Sequence, residues 1–273
     1  MPELPEVEIV RRSLEPHMVG SRVVGVVAAA VKLREGIRPA DWERHIRGTR
    51  ITALERRGKY LIAKGERAAA LFHLGMSGRM VIRRPEDPRA PHTHLVLALD
   101  HGGEVRFIDP RRFGVATVLG LGRLGSHPAL ARLGPDPVDG DVEGALQEAR
   151  RSHSPIRSVL LDQRVLAGVG NIYANEALSR AGISPLRRAS AISALRISDL
   201  ARAVREVLNE ALDAGGTTLR DGGFVNADGD GGYFAVRLSV YGREGAACSR
   251  CGSAIVRRAL AGRSAFYCPR CQR

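Results

Sequence analysis

The sequence predicts an α+β protein: an N-terminal helix with an antiparallel β-sandwich, then a helical domain, then a small C-terminal module. Apolar residues recur at helical spacing where the chain starts, and short alternating apolar runs follow them as far as residue 119. Helical periodicity returns in the second half, and all four cysteines lie between residues 248 and 271. Runs of strands followed by runs of helices are typical of the α+β class.

The first predicted element is a helix from Pro5 to about Leu14. Val7, Val10 and Leu14 give it one apolar face, and the glutamates of its first turn interact favourably with the helix dipole. A proline restricts the residue before it, so Pro16 is predicted to mark the end of this helix.

The segment up to residue 119 is predicted to form an antiparallel sandwich, because turn sequences such as that at 100–103 separate its apolar runs. The predicted strands are Val23 to Val31, Ile51 to Leu54, Tyr60 to Ala63, Leu71 to His73, Met80 to Ile82, Leu95 to Leu99, Val105 to Ile108 and Val115 to Leu119. Glycine and proline are frequent from residue 121 to 140, which predicts a connection between domains.

Two short helices are predicted next, from Pro155 to Asp162 and from Asn171 to Ala181. Gly168 and Gly170 permit tight turns between them, so the pair resembles a helix-two-turns-helix unit.

A longer helix with one apolar face is predicted to begin at the N-cap residue Ser198 and to stop at Gly215. The seven glycines of residues 215–232 predict a mobile loop that contributes nothing to a core, as lids often do. The predicted domains are 1–125 for the sandwich, 126–232 for the helical domain with a capping loop at 217–232, and 233–273 for the C-terminal module.

The C-terminal module contains two Cys-x2-Cys pairs: Cys248, Cys251, Cys268 and Cys271. Four thiolates at this spacing suit one tetrahedral Zn²⁺, and a site with four cysteines leaves no position open for water. The sequence therefore predicts a zinc ribbon with a structural metal. Disulfides are the alternative, which the cytoplasmic location expected for this chain disfavours.

The charge balance favours a polyanionic partner, because 42 basic residues against 29 acidic ones give a net charge of +13. Residues 234–273 hold eight arginines and one acidic residue, which predicts a nucleic-acid module, although zinc ribbons also bind proteins. No apolar run is long enough for a membrane span, and the N-terminus does not resemble a secretory signal. A cytoplasmic location without membrane association is expected.

Pro2 offers a second chemical feature. If Met1 is removed, Pro2 has a free secondary amine, which can form an iminium with a sugar C1′ and so serve as an electron sink. Glu3 could then transfer protons. Proline and glutamate also favour the start of a helix for structural reasons alone, and the residues by themselves favour that explanation.

Seven motifs occur along the chain: MPELPEVE at 1–8, GKYL at 58–61, HLGMSG at 73–78, DPRRFG at 109–114, LLDQ at 160–163, GVGNIYANEAL at 168–178 and GRSAFYCPRCQ at 262–272. Together they resemble the bacterial formamidopyrimidine-DNA glycosylases over the whole chain and in the same order. Leu4 favours this branch, since the related endonuclease VIII branch usually has glycine there.

The resemblance implies a bifunctional DNA glycosylase and AP lyase of base excision repair. Such an enzyme excises 8-oxoguanine and formamidopyrimidines from duplex DNA through a Schiff base on Pro2, and β,δ-elimination follows. Glu3 would be the acid/base partner and Lys59 the proton donor of β-elimination. Arg263 is linked to δ-elimination, where stabilisation of the leaving phosphate suits an arginine better than proton donation. The implied enzyme is a monomer without a catalytic metal or organic cofactor.

A base inside a duplex must be flipped out before it can be attacked, and the gap must be filled. The resemblance assigns this filling to Met76, Arg111 and Phe113, with Arg111 contacting an opposite cytosine. DNA would lie in a basic cleft between two lobes. The predicted DNA-binding residues are His73, Met76, His92, Arg111, Phe113, His153, Arg157 and Asn171, and those of the lesion pocket are Glu6, Thr217, Arg220 and Tyr233. His153 is a departure, since the family commonly has lysine near that position.

Two other functions stay open at this point. One is an enzyme of the pyrimidine-lesion branch, which a panel of oxidised purines and pyrimidines would distinguish. The other is a catalytically silent zinc protein that only binds damaged DNA. An uncleaved Met1, or Pro2→Gly with unchanged strand cutting, would count against the Pro2 mechanism.

Overall fold

The computed structural model describes residues 2–218 and 224–273 and confirms the α+β class. Its helices are α1 (Leu4–Met18), α2 (Pro39–His45), α3 (Pro128–Ala131), α4 (Val142–Ala149), α5 (Ile156–Leu161), α6 (Asn171–Arg180) and α7 (Ala194–Asp213). Its strands are β1 (Val23–Ala28), β2 (Ile51–Arg57), β3 (Tyr60–Gly65), β4 (Ala68–His73), β5 (Arg79–Arg83), β6 (Thr93–Leu99), β7 (Glu104–Ile108), β8 (Val115–Gly120), β9 (Val256–Leu260) and β10 (Arg263–Tyr267).

The chain divides into two compact units. The first contains Met1–Ala131 and Ala214–Tyr233, and the second contains Arg132–Asp213 and Phe234–Arg273. The sequence placed the 217–232 loop with the helical domain, whereas Thr217 and Ala227 of this loop form hydrogen bonds with helix α1 of the first unit. The three-domain division otherwise stays a prediction. Among the described residues, no helix is long and apolar enough to cross a membrane.

The first unit is a sandwich of two antiparallel four-stranded sheets, with strand orders β1-β6-β7-β5 and β2-β3-β4-β8. Every residue of β4 is buried, as expected of a strand covered on both faces. The rings of Trp42, Phe72 and Phe107 pack in series in the core, with centroids 5.7 and 6.1 Å apart. The turns that leave these sheets carry five of the predicted site residues: Lys59, Met76, His92, Arg111 and Phe113.

Helix α1 begins as predicted but ends later. The side chains of Glu3 and Glu6 form a reciprocal capping box, which satisfies backbone donors at the start of the helix. Pro16 lies inside the helix, so the predicted end there is wrong. In the last turn of a helix, a proline removes only one backbone hydrogen bond. Because the helix continues to Met18, the fully buried Met18 side chain extends the apolar face that contains Leu14.

An ion-pair network fixes α1 to β2. The Glu8 carboxylate pairs with Arg11, with Arg12 and, across the interface, with Arg56 at 3.1 Å. Burial alone would raise the pKa of Glu8, but hydrogen bonds from Arg11 and Arg12 and the charge of Arg56 outweigh it and lower the pKa. The N-terminal helix is therefore anchored by charge as well as by its apolar face.

The second unit contains the predicted pair of short helices, α5 and α6, and the long helix α7. Ser198 does not cap α7, because the helix begins at Ala194. The capping residue is Ser193, whose Oγ accepts the Arg196 N–H at 3.4 Å, while the Ser198 hydroxyl donates to Glu143 on α4. Gly215, with φ of 73°, lies just past the end of the helix, as predicted.

The glycine-rich segment is partly structured, contrary to the prediction that it contributes nothing to a core. Phe224 and Ala227 are buried in the core of the first unit, because the chain between 224 and 233 folds back onto α1. The Asn226 side chain accepts the N–H groups of Asp228 and Gly229 and so forms a compact turn.

The ribbon hairpin β9-β10 belongs to the second unit and is fastened to α6. The N–H of Phe266 donates to the Asn175 side chain at 2.8 Å, and Gln272 donates to the Ile183 carbonyl at 3.0 Å. The hydrophobic residues buried beneath the hairpin, besides the cysteines, are Val240 and Ile255. Such a small core needs another source of stability, as a metal provides.

Candidate active site and nucleic-acid interface

The N-terminal end of α1 holds Pro2 and Glu3 in a fixed place. Pro2 is buried, and the side chains of Glu3 and Glu6 are each 1% exposed. Glu6 accepts the Glu3 N–H through Oε2 and the Thr217 N–H through Oε1, both at 2.8 Å. The structure thus brings the predicted nucleophile and its acid/base partner together with two predicted residues of the lesion pocket.

Lys59 and His73 form a second cluster. Lys59 follows Gly58, whose φ of 57° makes the tight turn between β2 and β3, and His73 ends β4 opposite Tyr60. His73 Nδ1 accepts the Gly75 N–H at 2.9 Å. Burial, together with the charges of Arg34 and Lys59, lowers the pKa of His73 to about 3. His73 is therefore neutral at physiological pH, and any contact that it makes with DNA is a hydrogen bond without charge.

Met76, Arg111 and Phe113 project from two adjacent turns of the first unit. The side chains of Met76 and Phe113 are 40% and 45% exposed, which is unusual for large apolar groups. The Arg111 guanidinium lies 5.1 Å from the centre of the Phe113 ring. The three predicted gap-filling residues therefore form an exposed wedge, as insertion into a base stack requires.

Asp109 braces this wedge and is fully buried. One carboxylate oxygen accepts the Gly114 N–H at 2.7 Å, and the other accepts the Ser77 hydroxyl at 2.7 Å. At Gly75 a side chain would lie 2.6 Å from the Phe113 backbone, so only glycine allows the two turns to approach. The wedge is thus preorganised before DNA binds.

In the second unit, Arg157 is buried completely. Its guanidinium donates to the Asn171 side chain at 2.5 Å and to the carbonyls of Leu260 and Ser264 at 3.3 and 2.9 Å. Burial and the charge of Arg263 lower the pKa of Arg157. Its Nε has no hydrogen-bond partner among the described residues.

The hairpin held by Arg157 exposes Arg263 at its tip. Neither arginine forms an ion pair with a carboxylate in the described part of the chain. Two neighbouring cations without an anion are an arrangement suited to a phosphate.

Gln163 positions Asn171 beside these arginines. Its side chain donates to the Leu161 and Val169 carbonyls and accepts the Gly168 N–H at 2.8 Å. The LLDQ and GVGN motifs therefore form one closed turn, from which α6 starts at Asn171.

The remaining predicted residues lie at the edges of these clusters or away from them; the His92 carbonyl, for example, accepts the Asp109 N–H at 3.1 Å. His153 is exposed and lies 3.3 Å from the Ser190 hydroxyl. His92 is exposed, with a left-handed φ of 64°. Tyr233 is 78% exposed, although its backbone forms a bridge with Thr217. Arg220 lies outside the described residues, as does Met1.

The arrangement of the four cysteine sulfur atoms fits a bound Zn²⁺. Their Sγ atoms all lie within 4.8 Å of one another, with Cys251 and Cys268 3.5 Å apart and Cys248 and Cys271 4.0 Å apart. A tetrahedral Zn²⁺ with Zn–S bonds of about 2.3 Å needs sulfur atoms roughly 3.8 Å apart, which these separations bracket. The cysteines hold a structural zinc, and a complete set of thiolate ligands supplies no chemistry to the reaction.

Two buried carboxylates that hold the backbone near the predicted site residues were not identified from the sequence. Glu176, 5% exposed, accepts the backbone N–H groups of Ser239, Val240 and Tyr241 and so fixes the segment that leads into the ribbon. A glutamate close to two alanines on a helix predicted to be buried could have indicated that Glu176 has a buried hydrogen-bonding role. Asp109 was visible only as part of the DPRRFG motif, because its partner Ser77 lies 32 residues away.

Comparison with known proteins agrees with this geometry. Family models match for the formamidopyrimidine-DNA glycosylase N-terminal domain at residues 1–116, the H2TH domain of the same glycosylases at 133–222, and the zinc finger found in FPG and IleRS at 245–273. The formamidopyrimidine-DNA glycosylase of Marinobacter nauticus is 45% identical over 275 residues, covering 100% of both chains.

Solved structures resemble the whole chain. Lactococcus lactis Fpg in complex with abasic-site DNA superposes with a TM-score of 0.91 at 32% identity, covering 99% of each chain. The complex of the wild-type Lactococcus lactis protein with DNA containing N7-benzyl-Fapy-dG gives 0.91 at 33% identity, covering 100% of each. Motifs, domain order, cysteine cluster and fold all agree, and the chain belongs to the formamidopyrimidine-DNA glycosylase family.

Proposed function

We propose that this protein excises oxidised purines, namely 8-oxoguanine and formamidopyrimidines, from duplex DNA and then cuts the strand as an AP lyase. The coarser part, a DNA glycosylase of repair, follows from its family. The observation that carries the finer part is the fixed, buried position of Pro2 and Glu3 at the start of α1. An amine and a carboxyl group held side by side can attack a sugar and transfer protons.

In the proposed reaction, the Pro2 nitrogen forms a bond to C1′ of the damaged nucleotide, and the bond from C1′ to the base breaks. The base leaves with the bonding electrons and takes up a proton, and the Pro2 nitrogen loses its N–H proton. The bond from C1′ to the ring oxygen O4′ then breaks, O4′ takes up a proton, and the ring-opened sugar is held as an iminium on Pro2. Loss of a C2′ proton sends electrons into the iminium and expels the 3′ phosphate. A second elimination expels the 5′ phosphate, and water then releases the sugar fragment from Pro2.

The other clusters have supporting roles in this proposal. Lys59, beside the neutral His73, is the proton donor of β-elimination. Arg263 and Asn171 bind the phosphate that leaves in δ-elimination, because neither Arg263 nor the neighbouring Arg157 has a carboxylate partner among the described residues. Met76 and Phe113 fill the gap left by the flipped nucleotide, and Arg111 contacts the opposite base, preferentially cytosine. Glu6, Thr217, Arg220 and Tyr233 line the lesion pocket, and His92 and His153 contact phosphates.

The zinc site and the setting complete the proposal. Cys248, Cys251, Cys268 and Cys271 hold one structural Zn²⁺ that keeps the hairpin of Arg263 folded. We expect a cytoplasmic monomer whose partner is duplex DNA. The mechanism requires a free Pro2 amine, so Met1 must be removed.

The proposal is tested by borohydride trapping. The protein is mixed with a duplex that carries one 8-oxoguanine opposite cytosine, and the cross-linked peptide is mapped by mass spectrometry. A covalent adduct on Pro2 is expected, and retention of Met1, which blocks the Pro2 amine, should abolish it. A matched duplex with an oxidised pyrimidine should react at least about tenfold more slowly, a difference of about 1.4 kcal/mol in the barrier. Strand cutting without an adduct, or faster reaction with the pyrimidine, would contradict the proposal.

A further inference from the structure

We propose that Glu6 is a positioning residue that couples the Pro2–Glu3 pair to the base of the 214–233 segment; this inference rests on the proposed lyase reaction. Both oxygens of its carboxylate are used. Oε2 accepts the Glu3 N–H and Oε1 accepts the Thr217 N–H, each at 2.8 Å. One carboxylate therefore joins the backbone beside the nucleophile to a residue 211 positions away.

These two bonds are strong because they are buried. Glu6 is 1% exposed, and hydrogen bonds from backbone N–H groups to a carboxylate are charge-assisted. Loss of such a bond also leaves a buried donor without a partner, which costs more than the bond itself contributes. Displacement of Thr217 therefore pulls on the carboxylate that holds Glu3, and through Glu3 on Pro2.

The backbone just before Thr217 passes close to the Glu6 carboxylate. A Cβ on Gly216 would lie 3.3 Å from Glu6 Oε1 and 3.1 Å from the Phe224 ring. The φ of Gly216 is 86°, a conformation that only glycine adopts without strain. The chain thus passes directly against the carboxylate, as a mechanical coupling requires.

A second tether holds the same segment to the same helix without reaching the nucleophile. The Ser13 hydroxyl accepts the Ala227 N–H at 3.0 Å. Ser13 lies well along α1, away from the capping box of Glu3 and Glu6. Substitution of Ser13 therefore loosens the segment while both bonds of Glu6 remain, which makes Ser13→Ala a matched control.

The experiment uses DNA that lacks the base. A duplex with a preformed aldehydic abasic site is mixed with wild type, Glu6→Gln or Ser13→Ala, and the rate of borohydride trapping is measured. Glutamine keeps the size of the side chain but has one acceptor oxygen, so one of the two N–H groups loses its partner. We expect trapping by Glu6→Gln to fall by about tenfold or more, as loss of a charge-assisted hydrogen bond predicts. Ser13→Ala should remain within about twofold of wild type.

Each outcome of this trapping experiment has a single interpretation. Normal trapping by Glu6→Gln on abasic DNA, with loss of 8-oxoguanine excision, would limit Glu6 to its proposed place in the lesion pocket and overturn the positioning role. An equal loss in Ser13→Ala would overturn it too, since general loosening would then explain the effect. Failure of the wild type to trap would instead overturn the proposed lyase reaction. Thermal unfolding shows that each variant is folded; if Glu6→Gln is not, Glu6→Asp, too short to span both donors, should show the same loss.

Discussion

At the residue scale, the burial of Arg157 determines what its substitution should do. The guanidinium holds the carbonyls of Leu260 and Ser264, which flank the tip that carries Arg263. We predict that Arg157→Met leaves base excision and β-elimination within a few-fold of wild type, whereas the fraction of δ-elimination product falls by roughly fivefold or more, the effect of about 1 kcal/mol. Denaturing gels that separate the β and δ products measure this fraction.

The control for Arg157 is Arg258→Met, which removes the same charge from an exposed position on the same hairpin. Its product ratio should match that of wild type. Arg157→Lys should recover part of the δ product, because an ammonium reaches one carbonyl but not both. An equal loss of both products in Arg157→Met would mean that this residue binds DNA directly.

His73 predicts a pH dependence of stability. Its pKa of about 3 in the folded protein lies below the value near 6.5 of an unfolded histidine. Between these values the unfolded chain binds a proton that the folded protein does not, so stability falls as pH decreases from 6.5 toward 3. His73→Asn should remove up to about 1.4 kcal/mol per pH unit of this slope. Urea unfolding at pH 7 and pH 5 measures it.

The exposed His45 supplies the comparison for this titration. His45→Gln also removes an imidazole, but from the surface, and it should change the unfolding free energy at pH 7 by no more than about 0.5 kcal/mol. If His73→Asn and wild type lose stability in parallel as the pH falls, other groups dominate acid unfolding and the proposed neutrality of His73 has no thermodynamic support.

Residue type and spacing alone predict the function of few of the residues in the candidate site. The spacing of the four cysteines is sufficient to predict the zinc site, because the two cysteines of each Cys-x2-Cys pair are neighbours in the sequence. Met76 and Phe113 would be assigned to the core on hydrophobicity, and only the resemblance predicted a wedge, since exposure depends on turns braced by Asp109. The burial of Arg157 could not be predicted either, because the carbonyls of Leu260 and Ser264 that it binds lie more than 100 residues away in the chain.

At the scale of the element, the ribbon hairpin should depend on its metal. Apart from the cysteines, the hydrophobic residues buried beneath it are Val240 and Ile255. We predict that Cys268→Ser lowers bound zinc from one ion per chain to near zero and exposes the amides of β9 and β10 to rapid hydrogen exchange. Affinity for duplex DNA should fall by roughly tenfold or more, because the hairpin carries Arg263. Metal analysis, hydrogen exchange and fluorescence anisotropy measure the three effects.

Ser249→Ala, within the first Cys-x2-Cys turn, is the control and should keep full zinc and affinity. A Cys268→Ser protein with protected hairpin amides would show that packing on α6 is sufficient without metal.

Helices with a clear apolar periodicity were predicted well from the sequence, whereas the residues at which they begin and end were predicted less well. The apolar face of α7 was clear, but both Ser193 and Ser198 are plausible caps, and contact of Ser198 with Glu143 on α4 decided between them. The glycine content of the 215–232 segment masked the burial of Phe224 and Ala227, which pack in a core formed by residues distant in the chain. In both cases tertiary contacts overrode the local signal.

At the scale of the whole molecule, the net charge of +13 raises the question of whether DNA binding is general or localised. Each phosphate neutralised contributes about −0.9 to the slope of log affinity against log salt for duplex DNA. We predict that Arg263→Gln makes the slope shallower by about 0.9, because one specific contact is lost. Anisotropy with a duplex that carries an uncleavable abasic analogue, titrated from low to high salt, measures the slope.

The decisive comparison is Arg44→Gln, which lowers the net charge equally from the exposed face of α2. If the overall charge dominated, the two variants would shift affinity and slope alike, since the field of the whole protein falls by the same amount. If binding is confined to the proposed clusters, Arg44→Gln should match wild type while Arg263→Gln weakens at every salt concentration. Equal slopes for all three proteins would place Arg263 outside the phosphate contacts and leave the hairpin with a role in protein folding alone.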